Sequence, residues 1–477
     1  MQDRSSGEPS RQTDLTLLVA LFLAEIALAV SALALYKKAD RSFVGWLPTG
    51  SGMVFVASVV LLLGAGGVIG RQYVTHVKTS SRLYTLTVAM NLLTVGALLL
   101  AGEITTRLLA REALAGRLTV GNTLLFRNWD AVARHYLDLI EKASGDLSYQ
   151  VYDDVMGWVV GPSRRSANGL YFSSVEGLRA SRQGLSYRDD HALKIRIALI
   201  GDSFTFCEQV RFEDSWGDIL QRTLGDRVQV LNFSVPGYGV DQAYLRYEKE
   251  VRAWKPDIVV FGIPRHDVVR TMTLYSFIDF PYWDMPFSKP RFVLESDTLT
   301  TLNVPPLAPR DMFSKQDIAD LPYLDYDRGY NEGEWHSHLF PYSYLARYVA
   351  AAFPRWPKPN PNTSAESLVS VNAAIVRSFV RSAREAGSVP LIVYLAENTD
   401  FTSDSLEDLV WAKAVLKEAE VDYTDTTPCL RALTVEDAFM PNDPHYSPKG
   451  NAAVAACLTG QLQQIIGTLQ PTPLPAP

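Results

Sequence analysis

Apolar residues follow two rhythms along this chain. Up to about residue 101 they form long unbroken runs, and from residue 194 they form short bursts separated by amphipathic stretches. The first run, Leu15 to Tyr36, is apolar apart from Thr16, Glu25 and Ser31 and is closed by Lys37-Lys38. A second covers 53–70 and stops at Arg71, and a third covers 83–101 with Asn91 and a few threonines inside it. Roughly 20 apolar residues cross a bilayer core, so the pattern predicts a three-helix transmembrane region over 15–103, with spans at about 15–36, 53–70 and 83–101. Two further runs behind the first, and no small-residue cleavage pattern, argue against a secretory signal. Residues 1–14 are polar and read as a disordered tail. Glu25 sits in mid-span, where a charge is costly; it reads as a carboxyl hydrogen-bonded within the bundle, or as a contact to a second membrane protein.

Ile104 to Leu139 reads as an amphipathic helix leaving the membrane, and Ser144 to Arg188 as short strands and turns. Together they make a connector and lead-in over 104–193. The second rhythm then begins. Ile195–Ile200, Val228–Asn232, Ile258–Ile263, Pro390–Leu395 and Val421–Thr424 read as strands. Trp216–Leu224, Gln242–Arg252, Ser367–Ala386, Ser405–Ala419 and Ala452–Ile466 read as helices. Strands alternating with helices predict an α/β fold, a flavodoxin-like doubly wound parallel sheet, over 194–270 plus 364–467. Between these halves lies an insertion, 271–363, crowded with Tyr, Trp, Phe and Pro. Within it Phe292–Leu294 and Leu299–Leu302 read as a hairpin, and Pro354 to Pro361 as a stiff linker. Its aromatics either line a substrate cleft or form a satellite core. Residues 468–477 are a Pro-rich tail.

Composition changes this picture little. The chain has 477 residues, 47% apolar and 20% charged, with a net charge of −7, and a pI near 5.6. That balance lacks the basic footprint nucleic acid requires. Three cysteines, Cys207, Cys429 and Cys457, are too few and too scattered for a disulfide framework or a zinc site, and each reads as a small buried free thiol. His336 and His338 are spaced like ligands but have no third partner in the sequence, so no metal or other cofactor is expected. Basic residues in the short flanks, Arg4 and Arg11 in the tail and Arg71, Lys78 and Arg82 in the second loop, favour those segments inside. Three spans then place the remainder outside the cytoplasm, in the periplasm or extracellular.

The chemistry-bearing residues fall after strands. Acyl transfer through serine needs a nucleophile, a base and donors for the oxyanion. Gly201-Asp202-Ser203-Phe204-Thr205 follows the first strand, Ser234-Val235-Pro236-Gly237 the second, Pro264-Arg265-His266-Asp267 the third, and Asp443-Pro444-His445 the last. In a parallel sheet these loops share one edge. Taken singly, Ser203 also has a reading as a helix N-cap, Gly237 would look the same as a turn glycine, and His445 reads by default as a surface loop histidine.

The ordered set resembles the SGNH/GDSL hydrolase family, over roughly 195–270 and 365–465. The lead-in around Trp158 and Gly177-Leu178-Arg179 is similar to that of membrane-tethered bacterial members. The resemblance implies that Ser203 is the nucleophile and contributes its N–H to the oxyanion hole. It implies that Gly237 offers a second N–H, and that His445 is the base oriented by Asp443. A Ser–His dyad helped by a backbone carbonyl is the alternative. Where the family pattern has Gly-x-Asn-Asp, this chain has His266-Asp267; His266 is open as oxyanion donor, structural residue or bystander. Asp202 and Asp267 are read as supporting residues. The function so implied is a membrane-anchored serine O-acyl esterase or O-acyltransferase acting on a cell-envelope glycan or lipid, partnered by a membrane-bound O-acyltransferase. A lipase or thioesterase, and a degraded domain serving as a glycan-binding scaffold, are the competing readings.

Overall fold

The computed structural model describes residues 81–112, 118–121, 123–143, 149–188, 194–280, 284–335, 342–352, 360–401 and 407–469, with isolated positions before residue 81. Apart from isolated helical positions, the first two expected spans lie outside the described residues, as do Glu25, the His336/His338 pair and most of the 354–361 linker. The chain divides into two units, one of residues 1–132 with 331–358, the other of 133–330 with 359–477.

The first unit is built on the helix Ser81–Leu109. Its window Leu92–Leu109 has mean hydropathy 1.6, and among the described residues it is the one helix long and apolar enough to cross a membrane. Glu103, on this helix, accepts from Ser343 Oγ (2.7 Å) and from the N–H groups of Leu345 (2.9 Å) and Tyr344 (3.1 Å). It thereby caps the helix Tyr344–Ala352, whose first N–H groups lack intrahelical partners. The continuous helix expected over 104–139 is not formed. The chain instead leaves the helix at Leu109 and makes a three-stranded antiparallel sheet, Ala110–Glu112, Leu118–Val120 and Thr123–Leu124, before the helix Trp129–Ala143. The reason is local: β-branched Thr119, Val120 and Thr123 flank Gly121, whose φ of +59° supplies the left-handed turn between paired Val120 and Thr123.

The second unit carries the α/β pattern. Its strands are β1 (Ile195–Ile200), β2 (Val228–Asn232), β3 (Ile258–Ile263), β4 (Val389–Tyr394) and β5 (Tyr423–Asp425). They pair in parallel in the order β2-β1-β3-β4-β5, the flavodoxin-like arrangement. All residues of β1, β2 and β3 are buried, as continuous β-branched runs require when helices cover both faces. The helices are α1 (Trp216–Leu224), α2 (Val240–Lys249), α3 (Ala365–Glu385), α4 (Glu407–Glu418) and α5 (Pro448–Ile466). Serine caps start three of them: Ser215, Ser364 and Ser447 accept from the N–H of Asp218, Ser367 and Gly450.

The insertion is itself divided between the units. In the second unit, Arg291–Glu295 and Thr298–Leu302 form the expected hairpin, turning through Ser296 and Asp297 at φ +48° and +64°. Its buried aromatics pack as core. Phe277 and Phe313 pack with Tyr136 in a satellite core, whereas Phe287 stacks on Trp158 at 5.7 Å, beside the turn that holds Gly237.

The cysteine reading needs correction. Cys429 and Cys457 form a disulfide, and Cys207 alone is a buried free thiol. The two bonded residues are 28 apart in sequence. They meet because Cys429, in the short helix Thr427–Leu430, packs against α5.

Candidate active site

β1 ends in Gly201, where a side chain cannot be accommodated. Its φ is +151°, and a Cβ would lie 2.4 Å from Thr205 Oγ1 and 2.8 Å from the carbonyl of Gly262 on β3. The strand ends therefore close tightly under the turn. Asp202 caps the one-turn helix Ser203–Phe206, its Oδ1 accepting from Phe204 N at 2.9 Å. Capping thus falls to Asp202 and leaves the Ser203 hydroxyl for other partners.

Those partners come from the loop after β5. His445 Nε2 lies 2.8 Å from Ser203 Oγ, and His445 Nδ1 lies 2.6 Å from Asp443 Oδ1. Asp443 Oδ1 also accepts from the backbone N–H of His445 (3.0 Å), and its Oδ2 from Gln209 Nε2 (3.1 Å). Burial would raise the Asp443 carboxyl, but the hydrogen bonds from His445 hold it below its ordinary value. The loop is braced by Met440 N donating to His445 O (2.8 Å) and by Tyr446 Oη donating to Ala396 O (2.7 Å). Asp443, His445 and Ser203 are thus brought into one hydrogen-bonded line. That is the arrangement in which an imidazole with its proton on Nδ1 can accept the serine proton at Nε2.

A second line runs from the other side of Ser203. Asp202 Oδ2 lies 3.1 Å from Ser203 Oγ and 3.0 Å from His266 Nε2. His266 Nδ1 lies 2.5 Å from Glu397 Oε1. Both ring nitrogens of His266 face carboxylates, and only an imidazolium can donate to both. Burial and Arg270 push this imidazole down, yet Glu397 and Asp202 outweigh them and lift it to about 9. Asp202 is the converse: burial would raise it, but His266 and Arg270 hold it well below the usual carboxylate range. The side chain of His266 is engaged in this geometry, and service as an oxyanion donor would require it to leave Asp202.

Asp267 sits deeper. Burial and the charge of Asp202 raise its carboxyl well above the ordinary value, against His266 and Arg270. Arg270 Nη1 reaches Asp202 Oδ2 (3.1 Å), Asp267 Oδ1 (2.9 Å) and Tyr238 O (3.2 Å). Asp202, His266 and Asp267 are close enough for three ligand atoms to share a cation, but Arg270 already supplies the positive charge there. Gly237 adopts φ +87°, and a Cβ would come within 3.3 Å of Met285 Sδ and 3.4 Å of Trp158. Trp158 Nε1 donates to Pro236 O at 3.1 Å, fixing this turn.

Four residues of the site were not singled out from the sequence: Glu397, Arg270, Glu208 and Gln209. Glu397 was detectable in principle, because an acidic residue directly after the fourth strand emerges at the same sheet edge as the other loops. Glu208 and Gln209 carried no signal, since their approach depends on how the chain turns after Phe206.

No family model matches the sequence, and no curated protein matches it. Several solved structures are similar to part of the chain. A "putative lipolytic protein of G-D-S-L family" from Desulfitobacterium hafniense DCB-2 is 13% identical over 57% of this chain and 99% of its own, with TM-score 0.30. Axe2, an acetylxylan esterase from Geobacillus stearothermophilus, is 14% identical over 57% and 95%, with TM-score 0.30. A "lipase/acylhydrolase" from Enterococcus faecalis is 14% identical over 58% and 98%, with TM-score 0.30.

Proposed function

We propose that this chain is a membrane-anchored SGNH-type serine enzyme that makes or breaks O-acyl esters of a cell-envelope glycan or lipid. The observation that carries the reading is the line Asp443–His445–Ser203, with contacts of 2.6 and 2.8 Å, on the carboxyl edge of a parallel sheet. In the proposed reaction the Ser203 proton passes to His445 Nε2 as Oγ attacks an ester carbonyl. The N–H groups of Ser203 and Gly237 hold the oxyanion. The proton then leaves Nε2 for the departing oxygen, and water or a sugar hydroxyl resolves the acyl-enzyme. Asp443 holds the imidazole in the required tautomer.

One observation supports placement outside the cytoplasm, and another supports a membrane tether. A Cys429–Cys457 disulfide suits an oxidising compartment, and the apolar helix through Leu109 suits a tether. A periplasmic or extracellular catalytic unit with a multi-pass anchor, receiving acyl groups through a membrane-bound O-acyltransferase, accords with both.

The test is labelling by a fluorophosphonate serine probe in membranes. Wild-type protein is expected to label, and Ser203→Ala and His445→Ala are expected not to. Labelling or ester turnover undiminished in Ser203→Ala would sink the reading.

A further inference from the structure

The loop after the nucleophile helix is held in a costly conformation. Cys207 and Gln209, neither of them glycine, adopt φ +63° and +69°. Left-handed backbone at residues bearing a Cβ persists only where the surroundings enforce it, and it concentrates at functional sites. Here the enforcement is visible. Arg179, fully buried, donates to the carbonyls of Phe206, Cys207 (2.6 Å) and Val210 (2.7 Å). Tyr171 Oη accepts from Gln209 N at 2.8 Å.

The result is that two consecutive side chains reach the base and its orienter. Gln209 takes Asp443, and Glu208 Oε2 comes within 3.6 Å of His445 Nε2. That nitrogen is the atom that faces Ser203. Burial lifts the Glu208 carboxyl above its ordinary value, against the pull of His445 and together with Asp443 and Asp202. Glu208, its side chain partly exposed, therefore lies within the electrostatic reach of the reacting groups.

We propose that Glu208 is a specificity-determining residue of the acyl-transfer site, which steadies the proton carried by His445 Nε2 and bars anionic groups from the leaving-group and acceptor position. The inference rests on the proposed ester-handling function. During reaction the proton moves from Ser203 Oγ to Nε2 as the Oγ–C bond forms, and from Nε2 to the leaving oxygen as the C–O bond breaks. The leaving group and the incoming hydroxyl must both approach Nε2, where they meet the Glu208 carboxylate. A neutral or cationic hydroxyl compound is accepted there, and a phosphate- or carboxylate-bearing one is repelled.

The test uses full-length protein in detergent and two fluorophosphonates that differ only in the alkoxy arm, which ends in a methyl ester or a free carboxylate. Each labelling rate is normalised to that probe's reaction with hydroxide. Wild type is expected to label faster with the neutral probe by a factor on the order of ten, the effect of one like charge a few ångströms away at partial burial. Glu208→Gln is expected to bring the ratio towards one, and Glu208→Asp to keep most of it. A wild-type ratio near one, or a ratio unchanged in Glu208→Gln, overturns the proposal and leaves the Ser203 reading intact. No labelling of wild type by either probe overturns the ester-handling reading, and this proposal with it.

Discussion

Glu397 Oε1 and His266 Nδ1 lie 2.5 Å apart, with their residues 131 positions apart in sequence. The pair joins the edge of β4 to the edge of β3 directly behind the nucleophile turn. Arg265 reinforces it, meeting Glu397 at 3.1 Å and Asp400 at 3.0 Å. Through Asp202, His266 is also linked to Ser203. The serine is therefore flanked by two histidine–carboxylate pairs, His445 with Asp443 on one side and His266 with Asp202 and Glu397 on the other.

The His266 pair sets a pH dependence. The His266 pKa is raised from 6.5 to about 9, so its contribution is fully present below 6.5 and is lost as pH rises through about 9. Thermal melts from pH 7 to 10 should show wild type losing stability over that window. His266→Gln should be less stable at pH 7 by about 3–5 kcal/mol, because it breaks a buried ion pair, and its melting temperature should be flatter across the same window.

On the proposed mechanism, Asp443 is expected to act on the rate rather than on the fold. Asp443→Asn leaves the loop bonds of Met440 and Tyr446 in place but disturbs the tautomer of His445. Ester turnover should fall by roughly 10²–10⁴-fold with the melting temperature nearly unchanged. Gln209→Ala, which removes one hydrogen bond to Asp443, should cost about tenfold or less. Steady-state kinetics beside melts would check both.

Gly237 is constrained on two counts, a φ of +87° and close neighbours in Met285 and Trp158. Gly237→Ala should destabilise by about 1–3 kcal/mol. If its N–H holds the oxyanion, kcat should fall further than stability alone explains. A variant that is less stable yet catalyses at the wild-type rate would show that the turn has a structural role only.

The disulfide brackets the segment that carries His445. A 28-residue separation gives a loop-closure contribution of about 3–4 kcal/mol. Cys429→Ser, or reduction, should lower the unfolding free energy by that amount and the melting temperature with it. It should also slow probe labelling of Ser203, because His445 loses part of its support. Calorimetry and labelling with and without reductant would measure both.

Much of the second unit is legible from the sequence, because its strands are short, fully buried and bounded by helix caps. β1, β2, β3 and α1 fall where the pattern predicts them, residue for residue. The loops that carry Ser203 and His445 are also legible, since a parallel sheet delivers them to one edge. What could not be read depends on contacts between distant segments. Glu397 meets His266 only once β4 lies beside β3, and Cys429 meets Cys457 only once α5 has packed. The strands at 110–124 were missed for another reason: Ile104 to Leu109 continues a helical pattern, and the change at Gly121 is too short to break the periodicity seen in a long window.

Phe204 packs against both histidine pairs. Its buried ring lies 5.5 Å from the ring of His266 and 5.0 Å from that of His445, with Tyr446 edge-on at 5.0 Å. A phenyl ring has no lone pair and no exchangeable hydrogen, so it cannot pass a proton between the imidazoles. It leaves the Ser203 hydroxyl, 2.8 Å from His445 Nε2 and 3.1 Å from Asp202 Oδ2, as the hydrogen-bonded link between the pairs. In the proposed reaction acylation closes that link, because the esterified Oγ carries no proton. The proton on His445 Nε2 then has the departing oxygen as its outlet, and on the proposed reading commitment to each turnover depends on the aromatic ring and the acylated serine together.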